Sequence, residues 1–194
     1  MITYNTLRTA KPLIKNRNFL SFLRILPVLV LFTSFHLHSS SQTTYYTAQS
    51  GNWGTGTTWV GGTAPSASDN AVIQDGHQVT LTAGGGTTIN DLTIESGGII
   101  NAGVRRMTIN GDFIVDGTYT SSSTTGQDLD FFGDTLGGSG TIAINSSNRS
   151  FVFGSDAEIL SGAQITVAGN VSIDNAVTVT NFGELAATGD IDGQ

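Results

Sequence analysis

The stretch "RMTINGDFIVDGTY", residues 106–119, carries the pattern that decides the fold. Apolar and polar residues alternate on both sides of Gly111, as "MTI" before it and "FIV" after it. Alternation with a period of two places one set of side chains on one face of a strand. Similar runs follow one another after residue 70, and no helical periodicity is found after residue 42. The sequence therefore predicts an all-β protein.

One short unit recurs along these runs: a glycine or asparagine, a small or polar residue, then apolar-x-apolar. Its copies are Asn90-Asp-Leu92-Thr-Ile94, Gly111-Asp-Phe113-Ile-Val115, Gly140-Thr-Ile142-Ala-Ile144, Gly169-Asn-Val171-Ser-Ile173 and the weaker Gly189-Asp-Ile191-Asp. The intervals between their first residues are 21, 29, 29 and 20. A period of about 20 residues is typical of stacked coils, so we predict a right-handed parallel β-helix. An interval of 29 indicates either an excursion, for which residues 119–130 are the candidate, or a miscounted register. An antiparallel β-sandwich is the alternative.

The segment 1–41 has the layout of a secretory signal peptide. Five of the eight Lys and Arg residues lie in the first 24 positions, and an uncharged apolar run, residues 25–35, follows them. That run is shorter than the roughly 20 residues of a membrane span. We expect cleavage after Ser41, with an uncut membrane anchor as the alternative, and no transmembrane segment in the mature chain. The expected divisions are a signal peptide (1–41), an N-terminal cap with the first strands (42–88) and β-helix coils (89–194).

Charge and cysteine content narrow the function classes. After cleavage, three arginines would remain against fifteen acidic residues, a balance that repels nucleic acid and anionic membranes. The chain has no cysteine, so disulfides do not contribute to its stability. We therefore expect no nucleic-acid partner. The signal-peptide layout of residues 1–41 predicts a secreted or cell-surface location.

Aromatic residues concentrate near the start of the mature chain, in "YYTAQSGNWGTGTTW", residues 45–59. Trp53, Trp59 and Tyr46, with Tyr45 beside them, could stack on sugar rings as a ligand-binding platform. The favoured alternative is that they pack inward and cover the open first coil, since solenoids need capping segments. Asp75-Gly76 predicts a turn at the first rung, and His77 is interpreted as a turn residue.

Three aspartates, Asp128, Asp130 and Asp134, could gather oxygen ligands around Ca²⁺. The EF-hand pattern and the Gly-Gly-x-Gly-x-Asp calcium repeat are both absent, so solvated loop acids are the alternative, and we expect no other cofactor. The mature chain shows no paired acid and base suited to glycoside hydrolysis or lyase chemistry. It is therefore predicted not to be an enzyme.

The segment from residue 45 to residue 115 resembles the N-terminal part of large secreted surface proteins of Bacteroidetes, many of which are exported by type nine secretion. It is also similar to the glycine-rich β-domain of some animal hyaluronan-related cell-surface proteins. The resemblance rests on Trp53, Trp59, Gly61, Gly62, Pro65, Asp69, Val72, Ile73 and Gly76. It implies a β-helical fold, a surface location and an adhesive or carbohydrate-related role, and it carries no catalytic residues. Asp134-Thr135-Leu136 resembles the O-glycosylation motif of such proteins, which implies a modification at Thr135.

These observations predict a secreted or cell-surface structural and adhesive β-helix module, non-catalytic, with glycans or a host or matrix surface as partners. The pattern is still running at "TGDIDGQ", residues 188–194, so the remainder of a longer polypeptide is a further expected partner. One alternative is the N-terminal, non-catalytic part of a polysaccharide-degrading enzyme. The other is a truncated fragment without function.

Overall fold

The computed structural model describes residues 42–82, 84–122, 129–144 and 150–193. The expected signal peptide, residues 1–41, lies outside them. Within the described residues the regular structure is β-strand, apart from one 3-10 turn at Gly56–Thr58. No helix in this part of the chain is long and apolar enough to cross a bilayer.

The strands form three sheets, and the chain visits the sheets in turn. Sheet 1 contains β1 (Thr44–Tyr46), β3 (Asn70–Ile73), β6 (Leu92–Ile94), β9 (Phe113–Val115), β12 (Thr135–Gly137), β15 (Ala157–Ile159) and β18 (Val179–Asn181). Sheet 2 contains β2 (Gly51–Asn52), β4 (Gln78–Thr80), β7 (Ile99–Gly103), β10 (Thr118–Ser121), β13 (Thr141–Ile144), β16 (Gln164–Ala168) and β19 (Glu184–Ala187). Sheet 3 contains β5 (Thr87–Ile89), β8 (Met107–Ile109), β11 (Leu129–Phe131), β14 (Ser150–Phe153), β17 (Asn170–Ile173) and β20 (Ile191–Gly193).

Every pairing within these sheets is parallel, for example β6 with β9 and β17 with β20. This topology confirms the parallel β-helix and excludes the antiparallel sandwich. The one antiparallel contact among the described residues is an isolated bridge between Thr47 and Trp59. The right-handedness of the coil stays a prediction.

The core is built from columns of inward-facing side chains. Each column contains the residues that occupy the same inward position on successive strands of one sheet. In sheet 2 one such column is Val79, Ile100, Tyr119, Ile142 and Val167, all fully buried. Phe113, Phe131, Phe151 and Phe153 meet where sheets 1 and 3 face each other, with ring centroids 4.8–6.5 Å apart. The alternation seen in the sequence thus sends every second side chain into a single continuous core.

The two intervals of 29 residues between the sequence units arise because each successive unit lies in a different sheet. The unit at Gly111 leads into β9 of sheet 1, the unit at Gly140 into β13 of sheet 2 and the unit at Gly169 into β17 of sheet 3. Each longer interval is therefore one coil plus one side of the next coil, while the two shorter intervals join strands that pair directly. Of the two explanations, the miscounted register is right. The suspected excursion is β10, β11 and the link between them, of which residues 123–128 lie outside the described part.

The turns between sheets 1 and 2 explain several glycines. The His77 amide donates to the Gln74 carbonyl at 3.1 Å, and Gly76 takes φ +73°, which confirms the predicted Asp75-Gly76 turn. The Ala163 amide closes an equivalent turn on Leu160 at 3.0 Å, with Gly162 at φ +84°. A residue without Cβ adopts this left-handed conformation without strain, so glycine is the expected occupant.

Candidate functional site

The two tryptophans close one end of the core. Trp53 follows β2 and Trp59 follows the 3-10 turn, and they are 6% and 1% exposed. Their rings meet edge to face at a centroid distance of 5.0 Å. The Trp59 Nε1–H donates to the Trp53 carbonyl at 2.7 Å, which satisfies the one polar group of the buried indole. This is the arrangement of a cap, and neither indole offers a ring face to solvent.

The glycines around the tryptophans allow this packing. A Cβ at Gly56 would overlap the carbonyl oxygen of Gly62, so the 3-10 turn and the following loop pass each other at backbone contact. Gly61 and Gly62 both have positive φ. The loop can therefore fold back over the first coil only with glycine at these positions.

Tyr46 is the exposed member of the predicted platform. It is 45% exposed, and Val60 beside it is 58% exposed, while Tyr45 is half-buried and packs against the core. The Val60 amide donates to the Tyr46 carbonyl at 2.9 Å, which fixes the two side chains at the same end of the molecule. Tyr46 is therefore the residue of the predicted platform that a ligand could contact at this end.

Tyr46 begins an outward column of sheet 1. The strand register continues it through Val72, Thr93 and Ile114, and we call these four residues the sheet 1 outer face. Val72, Thr93 and Ile114 are each half-buried. A polar column lies close to it, near the start of the same strands.

Asn70, Asp91 and Asp112 form that polar column, and its side chains bond from coil to coil. Asn70 Oδ1 accepts the Asp91 amide at 3.3 Å, and Asp91 Oδ1 accepts the Asp112 amide at 2.9 Å. An apolar stripe beside a polar stripe suits a ligand that has both C–H faces and hydroxyl groups, because the two kinds of surface are contacted together. The three members are one coil apart and follow one another at equal intervals along the chain, so that spacing could have revealed the column from the sequence.

Asp69 holds the loop that leads into the first coil. Its Oδ2 accepts the Ser66 hydroxyl at 2.6 Å and the Ser66 amide at 2.8 Å, and its Oδ1 accepts the Thr43 amide at 3.3 Å. The hydroxyl of Ser66, and then its amide, hold the pKa of the Asp69 carboxyl below its usual value. The aspartate singled out by the resemblance is therefore a loop anchor.

The three candidate calcium ligands are placed differently. Asp128 lies outside the described residues. Asp130 is 7% exposed in β11, and its Oδ2 lies 2.8 Å from Nε of the half-exposed Arg106. Asp134 is exposed at the corner before β12. The described ranges contain no group of three or more acidic, histidine or cysteine side chains suited to a metal ion. A calcium site stays a prediction, and the Arg106–Asp130 ion pair is a contact that sequence reasoning missed.

Thr135, the predicted glycosylation site, lies in β12 with its side chain half-buried on the outside of sheet 1. It pairs with the exposed Glu158 of β15. A shallow depression lies beside it, lined by Asp134, Asp156, Ala157, Glu158, Thr178 and Thr180. Asp134, Asp156 and Thr178 follow one another at equal intervals along the chain, and that spacing could have revealed the depression from the sequence.

His77 and the asparagines of three Asn-x-Ser sequences, Asn145, Asn148 and Asn170, complete the candidates. His77 Nδ1 lies 2.8 Å from the Thr47 hydroxyl, whose oxygen also accepts the Gln74 amide at 3.0 Å, so the imidazole belongs to the turn. Asn145 and Asn148 lie outside the described residues. Asn170 Oδ1 accepts the Asp190 amide at 3.1 Å, so its side chain is engaged in joining two coils.

Comparison with family models, with curated protein sequences and with solved structures finds no match for this chain.

Proposed function

We propose that the protein is a secreted or cell-surface structural module that displays an adhesive, glycan-binding face and carries out no catalysis. The observation that supports this most is the single core, which runs without a break from Trp53 to Val171 beneath three parallel sheets. Each coil is bonded to the next through backbone hydrogen bonds, and buried columns bridge the same junctions. A solenoid built this way is stiff, because each coil can move only with its neighbours.

The proposed binding surface is the sheet 1 outer face with the polar column beside it. Tyr46 supplies an exposed aromatic ring, and Val72 and Ile114 extend an apolar track from it. Asp91 and Asp112 of the polar column supply carboxylate oxygens as hydrogen-bond acceptors along the same track. A polysaccharide or a glycosylated matrix surface, with apolar ring faces and many hydroxyls, fits this pair of stripes.

The proposed location follows from the layout of residues 1–41, and the proposed origin is a Bacteroidetes surface protein that uses type nine secretion. In such a protein the β-helix would be one part of a longer polypeptide. O-glycosylation at Thr135 is consistent with the strand position of that residue, whose side chain faces outward beside the exposed Asp134.

Two measurements test the proposal. Full-length protein expressed in a Bacteroidetes host should be found in the medium or at the cell surface, with an intact mass that lacks residues 1–41. The purified protein should bind immobilised polysaccharide or matrix glycoprotein, and Tyr46→Ala should weaken that binding about tenfold, a loss of ~1.4 kcal/mol.

Phe132→Ala is the matched control, because Phe132 is 43% exposed and directly follows β11, a strand of sheet 3, whereas Tyr46 lies in sheet 1. Equal losses in the two variants would assign the binding to exposed aromatic surface in general and would contradict the proposed face. Cytoplasmic retention with residues 1–41 intact would contradict the proposed location.

A further inference from the structure

Three corners of the coil carry an Asp or Asn directly before a glycine. Asp75-Gly76 and Asp116-Gly117 lie between sheets 1 and 2, and Asn110-Gly111 lies between sheets 3 and 1, while the remaining such pair, Asp192-Gly193, lies inside β20. In these pairs the glycine nitrogen can attack the side-chain carbonyl carbon of the residue before it, because glycine has no side chain to block the approach. The attack requires that both groups are free to move toward each other, and the three corners differ in this respect.

Both reacting groups of Asp116-Gly117 are held by neighbouring coils. The Gly117 amide donates to the Ile94 carbonyl of the coil before, at 3.0 Å, and Gly117 is buried. Asp116 Oδ1 accepts the amide and the hydroxyl of Ser139 in the coil after, at 2.9 and 3.2 Å. Ring closure here would have to break hydrogen bonds on both sides of the coil.

The backbone of Asn110-Gly111 is held in a similar way. The Asn110 amide donates to the Ile89 carbonyl at 3.0 Å, and the Gly111 amide donates to the Asn90 carbonyl at 2.9 Å. Because the attacking nitrogen is bonded to the coil before, it cannot turn toward the Asn110 side chain while the coils stay paired.

Asp75-Gly76 is the unheld pair. Both residues are exposed. The Asp75 amide donates to a carboxylate oxygen of Glu95 at 3.1 Å, and this bond leaves the Asp75 side chain free. Among the residues that the structure describes, none donates a hydrogen bond to the Asp75 carboxylate and none accepts one from the Gly76 amide.

The neighbouring coil leaves room for a ring at this corner. A Cβ on Gly97 would lie 3.3 Å from Asp75 Cγ and 3.5 Å from the Gly76 nitrogen. The carboxyl carbon and the amide nitrogen therefore face the same glycine, which has no side chain to separate them. Gly97 itself has φ +85°, a conformation that strains other residues, so its own turn favours glycine at this position.

We infer that Asp75-Gly76 is a site of spontaneous covalent modification, at which Asp75 becomes an isoaspartyl residue while the protein stays folded. The Gly76 nitrogen forms a bond to Asp75 Cγ and loses its proton, and the protonated carboxyl group releases one oxygen as water. Water then opens the resulting succinimide. Cleavage of the bond from nitrogen to Cγ restores aspartate, whereas cleavage of the bond from nitrogen to the backbone carbonyl carbon leaves isoaspartate. The water that was lost is regained, so no further reactant is consumed and the mass is unchanged.

The modification changes the turn that joins β3 to β4. Isoaspartate adds the Asp75 Cβ to the backbone, so the turn becomes one carbon longer. The His77 amide, which closes this turn on Gln74, and the His77 ring, which contacts Thr47 beneath the cap, then lose their alignment. The first coil should therefore lose stability as the protein ages. This inference goes beyond the proposed display role and does not depend on it.

The test is to age the full-length protein in mildly acidic buffer, folded and in urea. Peptide mapping with electron-transfer fragmentation distinguishes isoaspartate from aspartate at each position. In the folded protein isoaspartate should accumulate about tenfold faster at residue 75 than at residue 116, because closure at Asp116 must first break hydrogen bonds. In urea the two rates should become equal.

Asp75→Asn and Asp116→Asn form a matched pair with a simpler readout. Each variant closes the same ring with loss of ammonia, and hydrolysis then changes the mass of the intact chain. In the folded state Asp75→Asn should deamidate about tenfold faster than Asp116→Asn and than the native Asn110. Circular dichroism checks that both variants are folded.

Three results would overturn the inference. One is equal accumulation of isoaspartate at residues 75 and 116 in the folded protein. The second is protection of Asp75→Asn to the degree seen at Asn110. The third is deamidation of Asn110 in the folded protein at its rate in urea, since the coil-to-coil hydrogen bonds would then not control ring closure.

Discussion

Replacing Phe131 by alanine should remove the centre of the coil stack. Phe131 is fully buried in β11, with its ring centroid 6.4 Å from Phe113, 6.2 Å from Phe151 and 5.8 Å from Phe153. Phe113 belongs to the same coil as Phe131, and Phe151 and Phe153 belong to the next coil. On the other side, Phe131 is in register with Ile109 of the coil before, so its side chain lies between two neighbouring coils.

The expected loss can be worked from these contacts. Full burial of a large apolar side chain contributes about 1.5–3 kcal/mol, and an aromatic pair adds about 0.5–1.5 kcal/mol. Truncation also leaves a cavity among rigidly stacked strands. Together these terms predict that Phe131→Ala lowers the free energy of unfolding by about 3–5 kcal/mol. Phe131→Leu keeps most of the volume and should lose less than about 1.5 kcal/mol.

Phe132→Ala is the control that tests which of the two neighbouring phenylalanines faces the core. It is the next residue in the chain, its ring is 43% exposed, and it points away from the core. Phe132→Ala should lower the free energy of unfolding by only about 1 kcal/mol, because its ring is partly buried over Gly154 and lies outside the core. Urea unfolding of the purified variants, followed by far-ultraviolet circular dichroism, measures all three values. Equal losses for Phe131→Ala and Phe132→Ala would refute the inward and outward assignment, since a shift of one residue exchanges the two faces of a strand.

Three further outcomes are expected. Trp59→Phe should lower the free energy of unfolding by about 1–3 kcal/mol in urea, because the Trp53 carbonyl loses its buried donor; an unchanged value would contradict the cap. Gly162→Ala should cost about 1 kcal/mol, since φ is +84° and no atom lies within 4 Å of the added Cβ, so that strain alone is measured. The lowered pKa of Asp69 means that its hydrogen bonds with Ser66 stabilise the fold above the ordinary carboxyl pKa of about 3.9, and that this contribution disappears as the pH falls through the lower folded value. Melting temperatures of the unmodified protein and Asp69→Asn should therefore converge on acidification, and a difference that stays constant with pH would refute the assignment.

The fold could be predicted because the core imposes its period on the sequence. A residue such as Ile94 or Val115 must be apolar and must be two positions from the next inward residue, whatever its sheet. The register could not be predicted, because the same short unit serves all three sheets. Gly111, Gly140 and Gly169 begin identical-looking runs, and each run enters a different sheet.

The coil length also varies, which hides neighbours from any fixed spacing. In sheet 2, Thr118 pairs with Ile99 and Thr166 pairs with Thr141, and the second pair is further apart along the chain than the first. Turns and links absorb these differences at the corners while the strands stay aligned. For this reason the sheet 1 outer face became visible only in the structure, since Tyr46 and Val72 are further apart along the chain than Val72 and Thr93.

The tryptophans show why a candidate site is harder to predict than a fold. An exposed aromatic platform and a buried aromatic cap need the same residue types and the same glycine-rich surroundings. What separates them is the position of Trp53 and Trp59 relative to the first coil, and that depends on contacts such as Gly56 against the Gly62 carbonyl. Tyr46 shares the segment with the tryptophans but lies at an outward position of β1, and the period-two pattern of so short a strand does not reveal that. The search for a glycan partner therefore turns from the buried indole rings to Tyr46 and the sheet 1 outer face.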